Sequence, residues 1–166
     1  MPRIILIAAL ACSNRAIGRG GKLPWSIPED LKRFQQLTLN HTVIMGRKTW
    51  EFDLEKRPLK NRLNLVVSST LRADENLGIQ VARSLPQALE YCRDRDQVFI
   101  GGGASLYAQA FDLGIVDTLE LTLIEGHYEG DVFFPPFRHL IETQFELVKL
   151  EPREGYCFET YYRMNR

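Results

Sequence analysis

Cysteine is scarce in this chain. There are three in 166 residues, Cys12, Cys92 and Cys157, an odd number without metal-ligand spacing. That argues against a disulfide scaffold and a zinc site and suits a reducing compartment. Histidine is equally sparse, with His41, His127 and His139 scattered along the sequence, so no metal is expected. Neither sign of charge dominates, since 21 Lys+Arg balance 21 Asp+Glu. A balanced chain has no bulk attraction for nucleic acid or an anionic membrane, so an anionic ligand would need a local cluster. No long hydrophobic run occurs either. The longest, Ile4–Ala11, is far below the roughly 18 residues that span a bilayer. "ALAC" at Ala9–Cys12 loosely resembles a lipoprotein cleavage site, but Arg3 is the only basic residue ahead of it. A buried first strand is the expected reading. Repeats, low-complexity tracts and linkers are missing too, and one domain over residues 1–166 is expected.

What is present is alternation. Ile4–Ala11, Thr42–Met45, Leu63–Val67 and Val98–Ile100 are short runs rich in Val, Ile and Leu, bounded by turn residues. Strands buried on both faces have this composition. Helical patterns fall between them at Ile27–Thr38, Lys48–Phe52 and Leu85–Cys92. The expected class is α/β, with a mixed, mainly parallel central sheet and crossover helices on both faces. In the last third, Leu119, Leu121 and Leu123 alternate with Thr118, Glu120 and Thr122, and "EPREG" separates Phe145–Leu150 from Tyr156–Tyr162. This predicts an antiparallel extension ending in a C-terminal hairpin. Ser26 with Glu29 and Ser84 with Gln87 are written as capping boxes, with Pro28 and Pro86 early in the two helices.

Four constellations carry chemistry. Asp30 falls inside the apolar stripe Ile27–Leu31–Phe34–Leu37 of its helix, whereas Glu29, Lys32 and Gln36 face away. A carboxylate there is costly to charge and suits a functional site, although a first-turn Asp also favours a helix N-terminus. The preceding "GRGGKLPW", Gly18–Trp25, has the glycines and aromatic anchor of a lid. At Val43–Trp50 an apolar strand ends at Gly46 and a helix begins with Arg47, Lys48 and Thr49, a helix start with basic side chains that attracts anions. The strand before Gly101-Gly102-Gly103 runs into a helix with Ala104, Ser105 and Leu106, so backbone amides can approach a phosphate. Ser68-Ser69-Thr70 follows another strand, and Arg83 precedes the next helix, a grouping suited to a phosphate monoester. Three strand ends with anion contacts suggest a dinucleotide at the carboxyl ends of a parallel sheet.

The chain resembles bacterial-type dihydrofolate reductases over essentially its whole length. The resemblance is carried by "LIAALA" and "AIG", "LPWSIPEDLKRF", "VIMGRKTWE", "RPLKNR", "SS" at Ser68–Ser69, the glycine run with Tyr107, "EGDVFFP" and "YCFE". The first three are highly specific. The resemblance implies an enzyme of one-carbon metabolism that reduces 7,8-dihydrofolate with NADPH and is an antifolate target, while a self-sufficient single core predicts a monomer and the sparse cysteines predict a cytoplasmic one. Hydride would pass from nicotinamide C4 to pterin C6, with N5 protonated. Asp30 would hold the pterin 2-amino group and N3, with Leu23, Trp25, Thr122 and Tyr107 completing the catalytic group. The substrate residues implied are Ile7, Ala8, Leu31, Phe34, Thr122 and Arg62, with Leu54 as a candidate wall over the tail. Those implied for the cofactor are Ala9, Ile17, Gly18, Gly46, Arg47, Lys48, Thr49, Ser68, Ser69, Arg83, Gly102, Gly103, Ala104, Ser105, Leu106 and Tyr107. Asp131 would help hold the lid. The alternatives are a related NADPH-dependent reductase of another pterin or a riboflavin-pathway pyrimidine, and a nucleotide-binding module without turnover. The first would be expected to lack Asp30 and Arg62, and both residues are present.

Two departures stand out. About two extra residues occupy Glu51–Arg57, and Lys60-Asn61 replaces a common Pro-Gly. The glycine run is also one residue longer than usual, so either Ile100 or Gly101 could face the pterin.

Overall fold

The computed structural model describes residues 1–20, 24–73 and 77–164. The strands are β1 (Arg3–Ala11), β2 (Ala16–Gly18), β3 (Thr42–Gly46), β4 (Leu63–Val67), β5 (Gln80–Ala82), β6 (Gln97–Ile100), β7 (Thr118–Ile124), β8 (Val132–Phe133), β9 (Phe145–Arg153) and β10 (Tyr156–Arg163). The α-helices are α1 (Pro28–Thr38), α2 (Leu85–Tyr91), α3 (Ala104–Asp112) and α4 (Arg138–Gln144), and a π-helical turn covers Thr49–Asp53.

The main sheet has the order β5-β4-β3-β6-β1-β7-β10-β9. Its pairs from β5 through to β7 are parallel, and β10 runs antiparallel to both β7 and β9. The mixed α/β architecture is therefore as expected, with one refinement. β7 belongs to the parallel body, so antiparallel pairing starts only at β10. β5, α4 and the small β2–β8 pair were not anticipated. They are two to seven residues long, too short to show a period.

The strands divide two cores by period-2 alternation. Ile4, Leu6, Ala8 and Leu10 join Ile44, Ile100, Leu106 and Phe134 on one face. Ile5 and Ile7 join Val43, Met45, Trp50 and Phe99 on the other, with Phe34 and Leu37 of α1 packed against them. Residues of α2 and α3 lie in the first core, so helices cover both faces.

The sheet also splits. β1 pairs with β6 only as far as Leu6↔Ile100, then continues along β7 from Ile7↔Glu120 to Ala11↔Ile124. Beyond that point β6 gives way to the glycine run. A backbone acceptor in such a gap needs another partner, and the Tyr107 hydroxyl supplies one by donating to the Ile7 carbonyl at 2.7 Å.

Of the two expected capping boxes, the one at α2 forms in part: the serine cap is made, but the glutamine reaches back to the amide before Ser84 rather than to that of Ser84. Ser84 Oγ accepts from the Gln87 amide at 3.2 Å, and the Gln87 side chain accepts from the Arg83 amide at 2.6 Å. At α1 the cap position is Ile27, without a side-chain cap. Glu29 is drawn instead to Arg153 (3.0 Å) and to the Tyr156 hydroxyl (2.6 Å) on the C-terminal strands.

The loops at the carboxyl end of β1 are closely fitted. Asp131 donates its amide to the Gly18 carbonyl (2.9 Å) and accepts from the Gly20 amide at Oδ2 (2.9 Å). A Cβ at Gly130 would lie 2.7 Å from Ala16 Cβ and 3.0 Å from the Gly18 carbonyl oxygen. Gly130→Ala is therefore expected to cost about 1–3 kcal/mol of stability by overpacking. The check is the midpoint of urea denaturation, which should fall.

Candidate active site

The site acid is positioned by two elements. Asp30 sits in the first turn of α1, and its Oδ1 accepts a 2.6 Å hydrogen bond from Thr122 Oγ1 on β7. Thr122 is 2% exposed and pairs with Ala9 across β1–β7. Burial raises the Asp30 carboxyl above the ordinary Asp range. The Thr122 hydroxyl, then the charge of Arg33, pull it back without cancelling the rise. The apolar stripe around it is only half realised. Phe34 and Leu37 pack on the core, but Leu31 is 56% exposed. Phe34 and Leu37 of α1 pack on the core, with Phe34 reaching Gly101 just after β6, while the first turn is tied to β7 through Asp30 and Thr122.

Ile7 and Ala8 are buried beside the gap where β1 and β6 part, and Ala9 and Ile17 are half-buried. The glycine register is settled by alternation. Ile100 lies in the core on the α2–α3 face, so Gly101 continues the face of Phe99. A Cβ at Gly101 would meet Val43 Cγ1 at 3.2 Å and Phe34 Cε2 at 3.9 Å. Gly101, not Ile100, therefore fills the position on the α1 side.

A cradle of backbone lies opposite. The Gly46 amide donates to the Gly102 carbonyl (2.8 Å), and the Gly102–Gly103 peptide is cis. Gly102 takes φ 126°, which favours glycine, and a Cβ there would sit tightly, 3.2 Å from Thr49 Oγ1 and 3.4 Å from the Tyr107 hydroxyl. Gly103 caps α3 without a side chain, which leaves the amides of its first turn for an anion. Ala104 is half-buried and Ser105 is exposed, with Ser105 Oγ accepting from Gln109. Leu106 points into the core, so only its backbone can serve a ligand. Arg47 pairs with Glu51 at 2.9 Å, and Lys48 is exposed. These donors fit a dinucleotide diphosphate.

The predicted monoester residues separate. Ser69 is exposed, but the Ser68 hydroxyl is occupied, accepting from the Thr70 and Leu71 amides at 3.2 and 2.9 Å. It shapes the turn. Arg83 donates through Nη1 to the Ser68 and Leu71 carbonyls, so a single nitrogen of its guanidinium anchors the loop. Tyr107 is buried, and its hydroxyl is pushed up by desolvation and then by the charges of Asp53 and Asp30. Trp25 stacks edge-on to Tyr128 at 5.4 Å. Its shielded indole N–H has no partner among the described residues. Leu23 lies outside the described residues.

The tail region is also built. Arg62 donates to the Lys60 carbonyl (2.9 Å) and to Thr38 Oγ1 (3.1 Å), which fixes its guanidinium against the end of α1. Asn61 has φ 59°, so it takes the left-handed conformation that glycine would otherwise supply. In the segment Glu51–Arg57, the π-helical turn ends at Asp53 and Glu55 and Lys56 follow at φ 51° and 59°. Leu54 is half-buried and packs against the core on the α1 face. Sequence reasoning missed Asp53, whose carboxyl is pushed up to about 6 by desolvation. It also missed Arg33 and Glu120, which pair at 2.6 Å.

The family model of dihydrofolate reductase matches residues 3–163. The chain belongs to the dihydrofolate reductase family. It is 45% identical over 136 residues to the dihydrofolate reductase of Neisseria meningitidis serogroup B, covering 81% of this chain and 80% of that one. It is 35% identical over 184 residues to the bifunctional dihydrofolate reductase-thymidylate synthase of Daucus carota. That match covers 98% of this chain and 34% of the relative, so the chain spans about a third of the bifunctional protein. A solved dihydrofolate reductase from Enterococcus faecalis, complexed with NADP(H) and RAB-propyl, is 32% identical with a TM-score of 0.85. It covers 98% of this chain and 97% of its own.

The raised Asp30 has a thermodynamic consequence. Between its unfolded and folded values the native state binds more protons, so stability falls as pH rises through that window. Asp30→Asn keeps an acceptor for Thr122 and cannot ionise. It is expected to unfold roughly a few degrees higher near neutral pH, with the difference vanishing below pH about 4. Thermal unfolding at the two pH values checks this.

Proposed function

We propose that this chain reduces 7,8-dihydrofolate to 5,6,7,8-tetrahydrofolate with NADPH, and that Asp30 manages the proton that pterin N5 acquires. The carrying observation is the shielded Asp30 carboxylate held by Thr122 at 2.6 Å beside a glycine-built anion cradle. Family membership supports the reaction, and this geometry is compatible with the residue roles proposed below.

NADPH supplies, when bound, the hydride that the reaction needs. The chain supplies alignment and charge. Gly46, Thr49, Gly102, Gly103 and the amides of Ala104, Ser105 and Leu106 would hold the diphosphate. Arg47, Lys48, Ser69 and Arg83 would surround the adenosine phosphates, and Ala9, Ile17, Gly18 and Tyr107 would border the nicotinamide. Tyr107 also fixes the β1 carbonyl at Ile7.

Ile7, Ala8, Phe34 and Leu31 would enclose the pterin, and Leu54 the substrate tail. The exposure of Leu31 gives a planar ring an apolar surface to cover. Arg62, held by Thr38, would grip the terminal carboxylate in a charge-assisted pair. Asp30 would accept from the 2-amino group and N3. Because burial raises its carboxyl, it can hold a proton at higher pH than an exposed Asp. N5 is a poor base, so a dry pocket with one such group favours its protonation. Asp131, bonded to Gly18 and Gly20, would restrain the lid and exclude water, with Trp25 and Leu23 as further lid contacts. We further propose a monomer in the cytoplasm. Its three cysteines are free, and none of its described helices is long and apolar enough to cross a membrane.

The test is loss of NADPH absorbance with dihydrofolate, with NADH for comparison. The expected result is dihydrofolate-dependent oxidation that prefers NADPH. Asp30→Asn should retain NADPH binding and lose about 10²-fold or more in turnover at neutral pH. No oxidation by the parent chain, with NADPH still bound, would move the reading to another pterin or pyrimidine substrate.

A further inference from the structure

The seam between α1 and β7 has a second rung that the proposed reaction leaves without a role. Arg33 follows Asp30 by three positions and therefore shares its side of the helix. Glu120 precedes Thr122 by two positions and shares its face of the strand. The rungs are Asp30–Thr122 at 2.6 Å and Arg33–Glu120, also 2.6 Å.

The second rung is enclosed. Its side chains are 16% and 13% exposed. Glu120 Oε2 also accepts from Thr160 Oγ1 on β10 at 2.8 Å, and the guanidinium lies 4.6 Å from the centre of the Phe158 ring. Replacing an ion pair this enclosed by apolar residues is often neutral or stabilising. Stability is therefore a weak account of it, and its neighbour on α1 gives a better one.

The other ionisable groups around Asp30 are committed elsewhere or face away. Glu29 is bound by Arg153 and Tyr156, and Lys32 is exposed. From across the cleft, Tyr107 is committed to the Ile7 carbonyl, and Asp53 is carried on the π-helical turn. Arg33 is the cation whose place is fixed by a half-buried partner.

We propose that Arg33 and Glu120 form a positioning pair for the site acid: Glu120 fixes the guanidinium on the Asp30 side of α1 and balances its charge, and the net field of the pair sets the pH range over which Asp30 keeps its proton. The charge of Arg33 does oppose the desolvation of the Asp30 carboxyl. Neither residue is assigned contact with substrate. The inference rests on the reading of Asp30 as the proton-managing group.

The test uses the full chain with carboxyl-13C aspartate, followed by NMR titration. The Asp30 signal is assigned by its loss in Asp30→Asn. Arg33→Gln should move the Asp30 midpoint up by about half a pH unit or more, and Glu120→Gln should move it down. The double variant should lie between them, and Arg33→Lys should stay near the parent. A merely structural pair would move both single variants the same way or move neither, and either result overturns the proposal. Should Arg33→Gln fail to fold, Glu120→Gln decides alone, because its Gln still accepts from Thr160 and Arg33. The pH profile of turnover is read alongside. Midpoints that shift as stated while the profile stays put would uphold the pair and remove Asp30 from proton management. Unmoved midpoints overturn the pair whatever the profile does.

Discussion

A 2.6 Å hydrogen bond between Thr122 and Asp30 is the contact on which the site depends. It joins the first turn of a helix to the middle of a strand 92 residues later. It keeps a carboxylate in a shielded seam where burial makes its charge costly. Burial raises the acid, and the hydroxyl limits the rise, so the two opposing effects leave a group that can exchange a proton. The placement of α1 follows from the same balance. Phe34 and Leu37 anchor its far half to the core, while Asp30 ties its first turn to β7.

The gap between β1 and β6 is a consequence of sheet topology. β1 loses β6 as a neighbour after Leu6 and keeps β7. Ligands in parallel sheets bind where neighbouring strands separate at their carboxyl ends. Here Tyr107 satisfies the exposed carbonyl, and the glycine run after β6 carries backbone into contact with Thr49 and Tyr107. Gly101 replaces a side chain at the α1 face of this opening, so the pocket is wider there than an Ile100 register would make it.

Much of this was legible in the sequence. The four apolar runs became parallel strands because their composition reflects burial on two faces, and Asp30 stood out because it interrupts a helical stripe. Other features depended on distant partners. Ser26 and Glu29 read as a cap, but Arg153 and Tyr156, more than 120 residues away, take the carboxylate. The Ser68 hydroxyl read as a ligand group and is spent on its own turn. Leu31 read as part of the apolar stripe and stands 56% exposed, because a helical wheel gives the direction of a side chain but not how far the packed layer extends. Arg33 and Glu120 carried no local signal at all, since an ion pair across 87 residues exists only once the fold has formed.

The most direct test of the central contact is Thr122→Val, which keeps the shape of the buried side chain and removes its hydroxyl. The pH dependence of NADPH oxidation with dihydrofolate would be compared with that of the parent at equal NADPH affinity. Loss of the hydroxyl should move the profile to higher pH, since that hydrogen bond lowers the Asp30 carboxyl. A profile superimposable on the parent's would contradict the claim that Thr122 holds the site acid in its working range.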